Sequence, residues 1–507
     1  MAALQKVLIA NRGEIAMRVM RTLRERRLRS VAVFSEVDRL APHVLFADEA
    51  LPLGGKTSAE SYLRVDKIID AARRAGADAV HPGYGFLSEN PAFARALEDA
   101  GLTFIGPPAA AMEVMGNKLR ARAAMLDAGV RVIPGTDGPV TDPAEAARLA
   151  GTIGYPVMVK AAAGGGGKGM RIVRGPDELA AALRDTSEEA GKAFADSAVY
   201  IEKYVDRPRH IEIQVIADAH GNVVHLGERE CSLQRRHQKV VEECPSPFVD
   251  AAMREAMGTM AVQAAKAVGY VGAGTVEFIV DPGRNFYFLE MNTRLQVEHP
   301  VTEMVTYTDL VELQLAAAAG EPLPLRQEDV RARGWAMEFR IYAEDPAHDF
   351  LPAAGRILRL REPVGPGIRH DSGIYQGYEV PVYYDPLLSK LVVYGADRGD
   401  VLERARRAFD EFVIAGIKTN IPFHKWLLGR PAFAAGECDT HYIDEHFGPD
   451  ELAQDPELPF VALVAAALAY HQHGRGVPAA RGESDAATSR WRQAARREAV
   501  MRRSTHG

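Results

Sequence analysis

The sequence predicts a protein of α/β and α+β domains, the first of them built on a parallel doubly wound sheet. Three observations carry this. Over the first hundred residues, short apolar runs alternate with helical patterns, as expected of βαβ units around a parallel sheet. From residue 155 onward, strand patterns instead follow one another in runs and hairpins around a glycine-rich loop. The 507 residues suggest about three domains at roughly 150 residues each.

Taken in order, Lys6–Ala10 reads as a buried strand, Glu14–Arg26 as a helix and Val31–Ser35 as a second strand. Tyr62–Ala75 reads as a second helix, with Val65, Ile68, Ile69 and Ala72 on one stripe. A strand at 78–83 ends in a turn, and a helix near Pro91–Ala100 and a strand at 102–106 follow. The turn-rich stretch His81–Phe86 falls at the C-terminal end of a strand, where ligand crevices open in such sheets. A helical pattern runs over Met115–Ala128, then a Gly/Pro-rich break leads into strand, glycine loop and strand at 155–174. Further strands are expected at 198–205, 210–218 and 222–230, a helix at Ala251–Val268, and a hairpin at 274–292. Arg331–Gly334 looks like a joint, followed by strands and one helix, Val401–Phe412, up to about His446. A helix at 459–473, a Gly/Ser/Ala linker and a tail rich in arginine make up the rest.

Composition narrows the class. Lys and Arg total 61 against 68 Asp and Glu, a net charge of −7, which gives no support to bulk nucleic-acid binding. Three cysteines, Cys231, Cys244 and Cys438, are too few for a disulfide framework and suit a reducing compartment. The N-terminal segment has no secretory pattern, and the longest apolar run, Phe460–Tyr470, is about half of what a spanning helix requires. The expectation is an enzyme of the cytoplasm without a membrane span.

The chemistry starts at the loop GGGGKG, residues 164–169. Gly164, Gly166 and Gly169 satisfy G-x-G-x-x-G, but a strand follows where a dinucleotide fingerprint must open a helix. No Ser or Thr follows Lys168, so the loop is not a Walker A motif either. A glycine hairpin between strands still suits a phosphate lid, because without Cβ the backbone N–H groups can approach an anion. Lys160, on the preceding strand, and Lys118, at a helix start, could each reach a phosphate as a point charge.

The strongest constellation is Phe286–Pro300. Glu290, Asn292, Arg294, Gln296 and Glu298 recur at every second residue, so a continuing strand would turn all five to one face. The short hairpin sets Glu277 opposite Glu290 to within about one residue of register. Two carboxylates and an amide oxygen on adjacent strands match how Mg²⁺ is held, with substrate phosphates completing its shell. A second polar cluster, Glu228–Glu243, carries Arg229, Arg235, Arg236 and Lys239 with Gln234 and His237 between them. As a charge run alone it reads as a solvated face, and Cys231 within it as a packed thiol. A serine nucleophile elbow and zinc-ligand spacing are both missing.

Together, KVLIANRGEIA, HPGYGFLSEN, GGGGKGM, HIEIQV, ERECSLQRRHQKVVEE, EMNTRLQVEHPVTE and EFRIYAEDP resemble biotin carboxylase, the ATP-grasp subunit of acetyl-CoA, other acyl-CoA and pyruvate carboxylases. The resemblance spans about Lys6 to His446. It implies an N-terminal domain at 1–115, an ATP-grasp domain at 116–330 with a mobile lid at about 132–204, and a C-terminal mixed domain at 335–446. Residues 449–507 would be an extension, helix plus basic tail, read either as a packed helix with a solvated tail or as a docking segment for a partner subunit.

By the same resemblance, Lys118, Lys160, Gly166, Gly167 and His210 contact the phosphates or ribose of ATP. Glu202, Lys203, Tyr204 and Val205 hold the adenine, with Gln234 and His237 nearby. Glu277, Glu290 and Asn292 bind Mg²⁺ (or Mn²⁺). Lys239, Arg294, Gln296 and the backbone of Val297 hold bicarbonate, Glu298 is the general base, and Arg340 steadies the biotin enolate. Ala163 and Lys168 stand where the family often has Gly and Arg, which should alter the lid more than the chemistry.

The implied reaction is ATP-dependent carboxylation of carrier-bound biotin through carboxyphosphate, for an acetyl-CoA or propionyl-CoA carboxylase, with fatty acid biosynthesis as a setting. A biotinyl-lysine segment and the length for a transferase are both missing. The expected partners are therefore a biotin carboxyl carrier protein and carboxyltransferase subunits as separate chains, with the chain itself forming a homodimer. The alternatives are a pyruvate carboxylase subunit, another ATP-grasp carboxylate ligase, or a nucleotide-sensing subunit.

Overall fold

The computed structural model describes residues 4–140, 142–162, 169–194, 196–452 and 468. Residues 1–452 form one compact unit. The expected helix at 459–473, apart from residue 468, and the basic tail lie outside the described residues, as do Gly166 and Gly167 of the loop.

The N-terminal strands are β1 (Lys6–Ile9), β2 (Arg29–Phe34), β3 (Glu49–Pro52), β4 (Ala79–His81) and β5 (Thr103–Phe104). They pair in parallel in the order β3-β2-β1-β4-β5, the doubly wound sheet expected of the βαβ alternation. Val7, Leu8, Ile9, Val31, Ala32 and Val33 are completely buried, because helices cover both faces of such a sheet. The strand order reverses at β1 and β4, and the loops after both strands open toward one crevice. Asn11 ties these loops together, its Nδ2 donating to the carbonyls of Pro82 and Tyr84 at 2.7 Å each. Residue 83 must be glycine here: its φ is +64°, and a Cβ would meet Asn11 Nδ2 at 2.8 Å.

A small three-stranded sheet follows, with β6 (Val157–Ala161) in the middle, β7 (Met170–Val173) and β8 (Val199–Lys203) on either side. The large sheet is antiparallel throughout and has eight strands. In sheet order these are β13 (Phe286–Asn292), β12 (Gly272–Val280), β9 (Arg209–Ala217), β10 (Val223–Arg235), β11 (Gln238–Cys244), β14 (Trp335–Tyr342), then Leu387–Gly395 and Ile368–Ser372. Several helices pack on it, two of them long. Ala251–Ala267 contributes Met253, Met257, Ala261 and Ala264 to a core with Ile211, Ile213 and Val276. Arg398–Glu411 packs Val401, Ala405 and Phe409 on Met337, Phe339 and Leu391. The joint expected at Arg331–Gly334 precedes β14, which pairs directly with β11, so the large sheet runs on across it.

Four local expectations need correction. The helix of Tyr62–Ala75 starts at Val65, since 58–63 is taken up by turns and Tyr62 Oη is committed to Asp38 at 2.6 Å. The Met115–Ala128 pattern is two helices: one ends at Met115, and Asn117 caps the next (Lys118–Asp127) by accepting the Arg120 N–H at 3.0 Å. The strand at 222–230 continues to Arg235. The strand carrying Glu290 stops at Asn292, because the Thr293 N–H turns away to Glu89 Oε1 at 2.9 Å. Strand alternation therefore does not extend to Arg294, Gln296 and Glu298.

Candidate functional site

A cavity of about 750 Å³ opens where the β1 and β4 loops face the large sheet. The sheet supplies a polar floor: His210 on β9, Gln234 on β10, Lys239 on β11, Glu277 on β12, Glu290 and Asn292 on β13, and Arg340 on β14. Glu290 and Asn292 share a face by the two-residue period of a strand, and Glu277 pairs opposite Glu290. Lys118, Lys160 and Lys203 reach the cavity from the other side, as do Met158, Met170, Ile172, Tyr204 and Val205. The doubly wound domain contributes Arg12, Glu14, Tyr84 and Phe86. The His81–Phe86 stretch thus reaches the site through its second half, whereas His81 is buried against Gln314 at 3.3 Å.

One lysine organises the floor. Lys239 Nζ donates to Glu212 at 2.6 Å, to Glu277 at 2.8 Å and to Glu298 at 2.8 Å. Burial opposes its charge, but the three carboxylates overcome this and hold its pKa well above the usual lysine range. Glu298 is fully buried behind the wall; its second oxygen accepts from Arg340 Nη2 at 3.0 Å. Burial alone would protonate Glu298, yet Lys239, Arg340 and Arg229 together drive its pKa well below the carboxylate range. It is therefore an anion held between Lys239 and Arg340, both of which line the cavity. Arg340 is anchored behind by Glu242, which accepts its Nε–H at 2.6 Å. Arg294 donates to Gln296 Oε1 at 2.7 Å, Asn292 Oδ1 at 3.0 Å and Glu89 Oε2 at 2.8 Å.

The donor set at β12 and β13 suits a divalent cation. Glu277 and Glu290 face each other across the β12–β13 pair, and burial followed by the Glu277 charge raises the Glu290 pKa. Such a pair of carboxylates beside an amide oxygen is relieved by a hard cation that prefers oxygen ligands. Asn292 lies beside them, its Nδ2 donating to Glu277 Oε1 at 2.8 Å and its Oδ1 accepting from Arg294 at 3.0 Å. The two carboxylates therefore fit Mg²⁺ or Mn²⁺, and Asn292 would join them with its oxygen once the amide turns.

Despite the early end of the strand, Arg294, Gln296 and Val297 also line the cavity. Of the expected ATP contacts, Lys118, Lys160, Lys203, Tyr204, Val205, His210, Gln234 and His237 line it as well. Glu202 is not among the lining residues; its side chain lies 2.7 Å from Nζ of Lys160, which is one of them. His210 stands 2.8 Å from Glu277 Oε2 and 2.6 Å from Gln234. The run Glu228–Glu243 is not a solvated face: Arg229 is completely buried, bonded to Glu212 and to Gln214 at 2.7 Å. Cys231 is a buried free thiol whose pKa burial pushes far up, as expected of a packed residue.

Sequence reasoning missed Glu89, Glu212, Glu242 and Glu338. Each acts through a partner distant in the chain, such as Glu89 on Arg294, so local spacing carries no signal of them. The strand pattern HIEIQV could have exposed Glu212 and Gln214, since both are polar residues at inward positions.

Comparison with known proteins matches residues 3–112 to the biotin carboxylase N-terminal domain. Residues 117–326 match the ATP-binding domain of the carbamoyl-phosphate synthase L chain, and 338–445 the biotin carboxylase C-terminal domain. The pyruvate carboxylase subunit of Methanothermobacter thermautotrophicus is 51% identical over 487 residues, 93% of this chain and 99% of that one. The propionyl-CoA carboxylase alpha chain of Ruegeria pomeroyi is 49% identical over 488 residues, 92% of this chain and 72% of that one. Among solved structures, the biotin carboxylase domain dimer of Hydrogenobacter thermophilus 2-oxoglutarate carboxylase, in complex with MgADP, ADP and bicarbonate, superposes with a TM-score of 0.85. It is 46% identical, and the match covers 90% of this chain and all of that one.

Proposed function

The chain belongs to the biotin carboxylase family, and from that premise we propose how its residues perform the ATP-dependent carboxylation of biotin. It is an ATP-dependent ligase with the ATP-grasp fold of that family; the roles of individual residues are our reading. Lys118, Lys160 and His210, with the loop backbone at Gly166 and Gly167, would hold the nucleotide's phosphates and ribose. Glu202, Lys203, Tyr204 and Val205 would hold its adenine by the chain end of β8, with Gln234 and His237 adjacent. Glu277, Glu290 and Asn292 would hold Mg²⁺ (or Mn²⁺), which when bound neutralises the β- and γ-phosphate oxygens.

Bicarbonate is a weak nucleophile, so the site must orient it and take its proton. Lys239, Arg294, Gln296 and the Val297 N–H would cradle it, and Glu298 would accept the proton as an oxygen attacks the γ-phosphorus and ADP leaves. Carboxyphosphate breaks down to CO₂ and phosphate, phosphate takes the ureido N–H proton of biotin, and the enolate captures CO₂. Arg340 would donate to the enolate oxygen as charge develops there. The single observation that carries this reading is the convergence of Lys239 and Arg340 on buried Glu298, at 2.8 and 3.0 Å.

Biotin would arrive on a separate biotin carboxyl carrier protein and leave to separate carboxyltransferase subunits, since a relative that is one subunit of a carboxylase has nearly the same extent. A homodimer is supported by the dimeric relative, and a cytoplasmic location by three unpaired buried cysteines. Among the described residues, no helix is long and apolar enough to cross a membrane. The acceptor would be an acyl-CoA, acetyl-CoA (hence fatty acid biosynthesis) or propionyl-CoA, as in the alpha chain it resembles. The match to a pyruvate carboxylase subunit favours pyruvate as a second reading. The test is bicarbonate-dependent ATP hydrolysis with and without free biotin, repeated with purified transferase and each acceptor. Stimulation by biotin supports the reading, and its absence with active, folded protein contradicts it.

A further inference from the structure

Lys390, in the strand Leu387–Gly395, is completely buried. Its Nζ donates to the Val297 carbonyl at 2.6 Å, while the nearest carboxylates stand farther off, Glu14 at 3.6 Å and Glu338 at 4.0 Å. Burying an ammonium is costly unless it is well partnered. A lysine present only to balance charge would close on a carboxylate. This one makes its shortest contact with a neutral peptide oxygen in the segment that lines the cavity.

The next carbonyl back is held in the same way. His299 is buried, and its Nδ1 lies 2.8 Å from the Gln296 carbonyl. A carbonyl only accepts, so Nδ1 carries the proton. Burial, with Lys390, Arg18 and Arg369 close by, keeps that ring neutral. A peptide unit is planar and trans, so its N–H points opposite its C=O. Fixing the Gln296 carbonyl therefore fixes the direction of the Val297 N–H, and fixing the Val297 carbonyl sets the plane from which Glu298 departs.

We propose that Lys390 is a positioning residue for bicarbonate activation, locking with His299 the two peptide planes that flank Val297. This rests on the reading that Val297 and Glu298 handle bicarbonate. It also explains why three stretches of chain meet at one nitrogen: Glu14 after β1, Val297 after β13, and the strand Leu387–Gly395. Misplacing a reacting group by about 1 Å can cost about 100-fold in rate.

The experiment is steady-state ATP hydrolysis by Lys390→Met, with bicarbonate and ATP varied separately, alongside Glu298→Gln and thermal melts. Lys390→Met should lose at least about tenfold in kcat/KM for bicarbonate while its KM for ATP stays within twofold. The double variant K390M/E14Q, which also removes the nearest carboxylate, carries the test if the single variant fails to fold. A bicarbonate kcat/KM unchanged in a folded variant overturns the proposal. So does a loss shared equally by ATP and bicarbonate, which makes Lys390 a core residue only. Full activity in Glu298→Gln would instead strike the underlying reading, so the two failures are distinguishable.

Discussion

Glu242 offers a prediction that joins stability to the site. It is completely buried on β11, directly across from Glu338 on β14. Burial, with Glu298 adding and Arg340 opposing, pushes its pKa up from 4.5 to about 7. Between those values the folded protein binds a proton that the unfolded chain lacks. Stability contributed by this group is therefore present below pH 4.5 and is lost as pH rises toward 7. At 1.36 kcal/mol per pH unit, the full loss is about 3 kcal/mol. Glu242→Gln removes the titration but keeps an oxygen that can accept the Arg340 Nε–H. Relative to the parent, the variant should gain stability steadily from pH 4.5 to 7, by up to about 3 kcal/mol, and hold that gain above pH 7. Denaturant midpoints across pH 4.5–8.5 measure it. Biotin-stimulated turnover should fall by no more than about tenfold, the difference between a charge-assisted and a neutral hydrogen bond. A stability difference that is constant with pH, or shrinks as pH rises, refutes the reasoning.

Other outcomes follow from the same geometry. Glu277→Gln should raise the Mg²⁺ concentration for half-maximal ATP hydrolysis by at least about tenfold, because loss even of an outer-shell partner costs 10–100-fold. Glu89→Gln should raise the KM for bicarbonate several-fold and leave the KM for ATP unchanged, since its carboxylate holds Arg294 and Thr293. Truncation after Leu452 should preserve free-biotin activity but weaken co-purification with the partner subunits. The cut belongs there and not after Gly448, because Glu451 accepts the Trp426 indole N–H at 2.8 Å. Unchanged co-purification rejects docking by the extension.

Much of this arrangement is legible in the chain because its periodicities are local. The βαβ alternation gave the doubly wound sheet, and the hairpin turn set Glu277 against Glu290 in the observed register. The strand period picks out Arg294, Gln296 and Glu298, although the backbone leaves the strand at Asn292. Arg294 and Gln296 still line the cavity, with Glu298 behind them, on a stretch of chain tied after Asn292 to Glu89 of the doubly wound domain. Such a tertiary contact overrides alternation and leaves no trace in nearby residues. The Glu228–Glu243 run was ambiguous for the complementary reason: its charges are buried by partners, such as Glu212 for Arg229, that lie on another strand. The anchors Glu242, Glu338 and Lys390 act only through distant partners and became visible only with the fold.

The most direct test of the central claim is the bicarbonate-dependent, biotin-stimulated ATPase rate of Glu298→Gln, measured on protein shown to be folded and to bind ATP. The amide keeps the shape and the contact with Arg340 but cannot take the bicarbonate proton. The rate should fall by about 10²–10⁴-fold, the contribution typical of a positioned base, with the KM for ATP little changed. A variant that keeps the full rate would show that Glu298 is not the base.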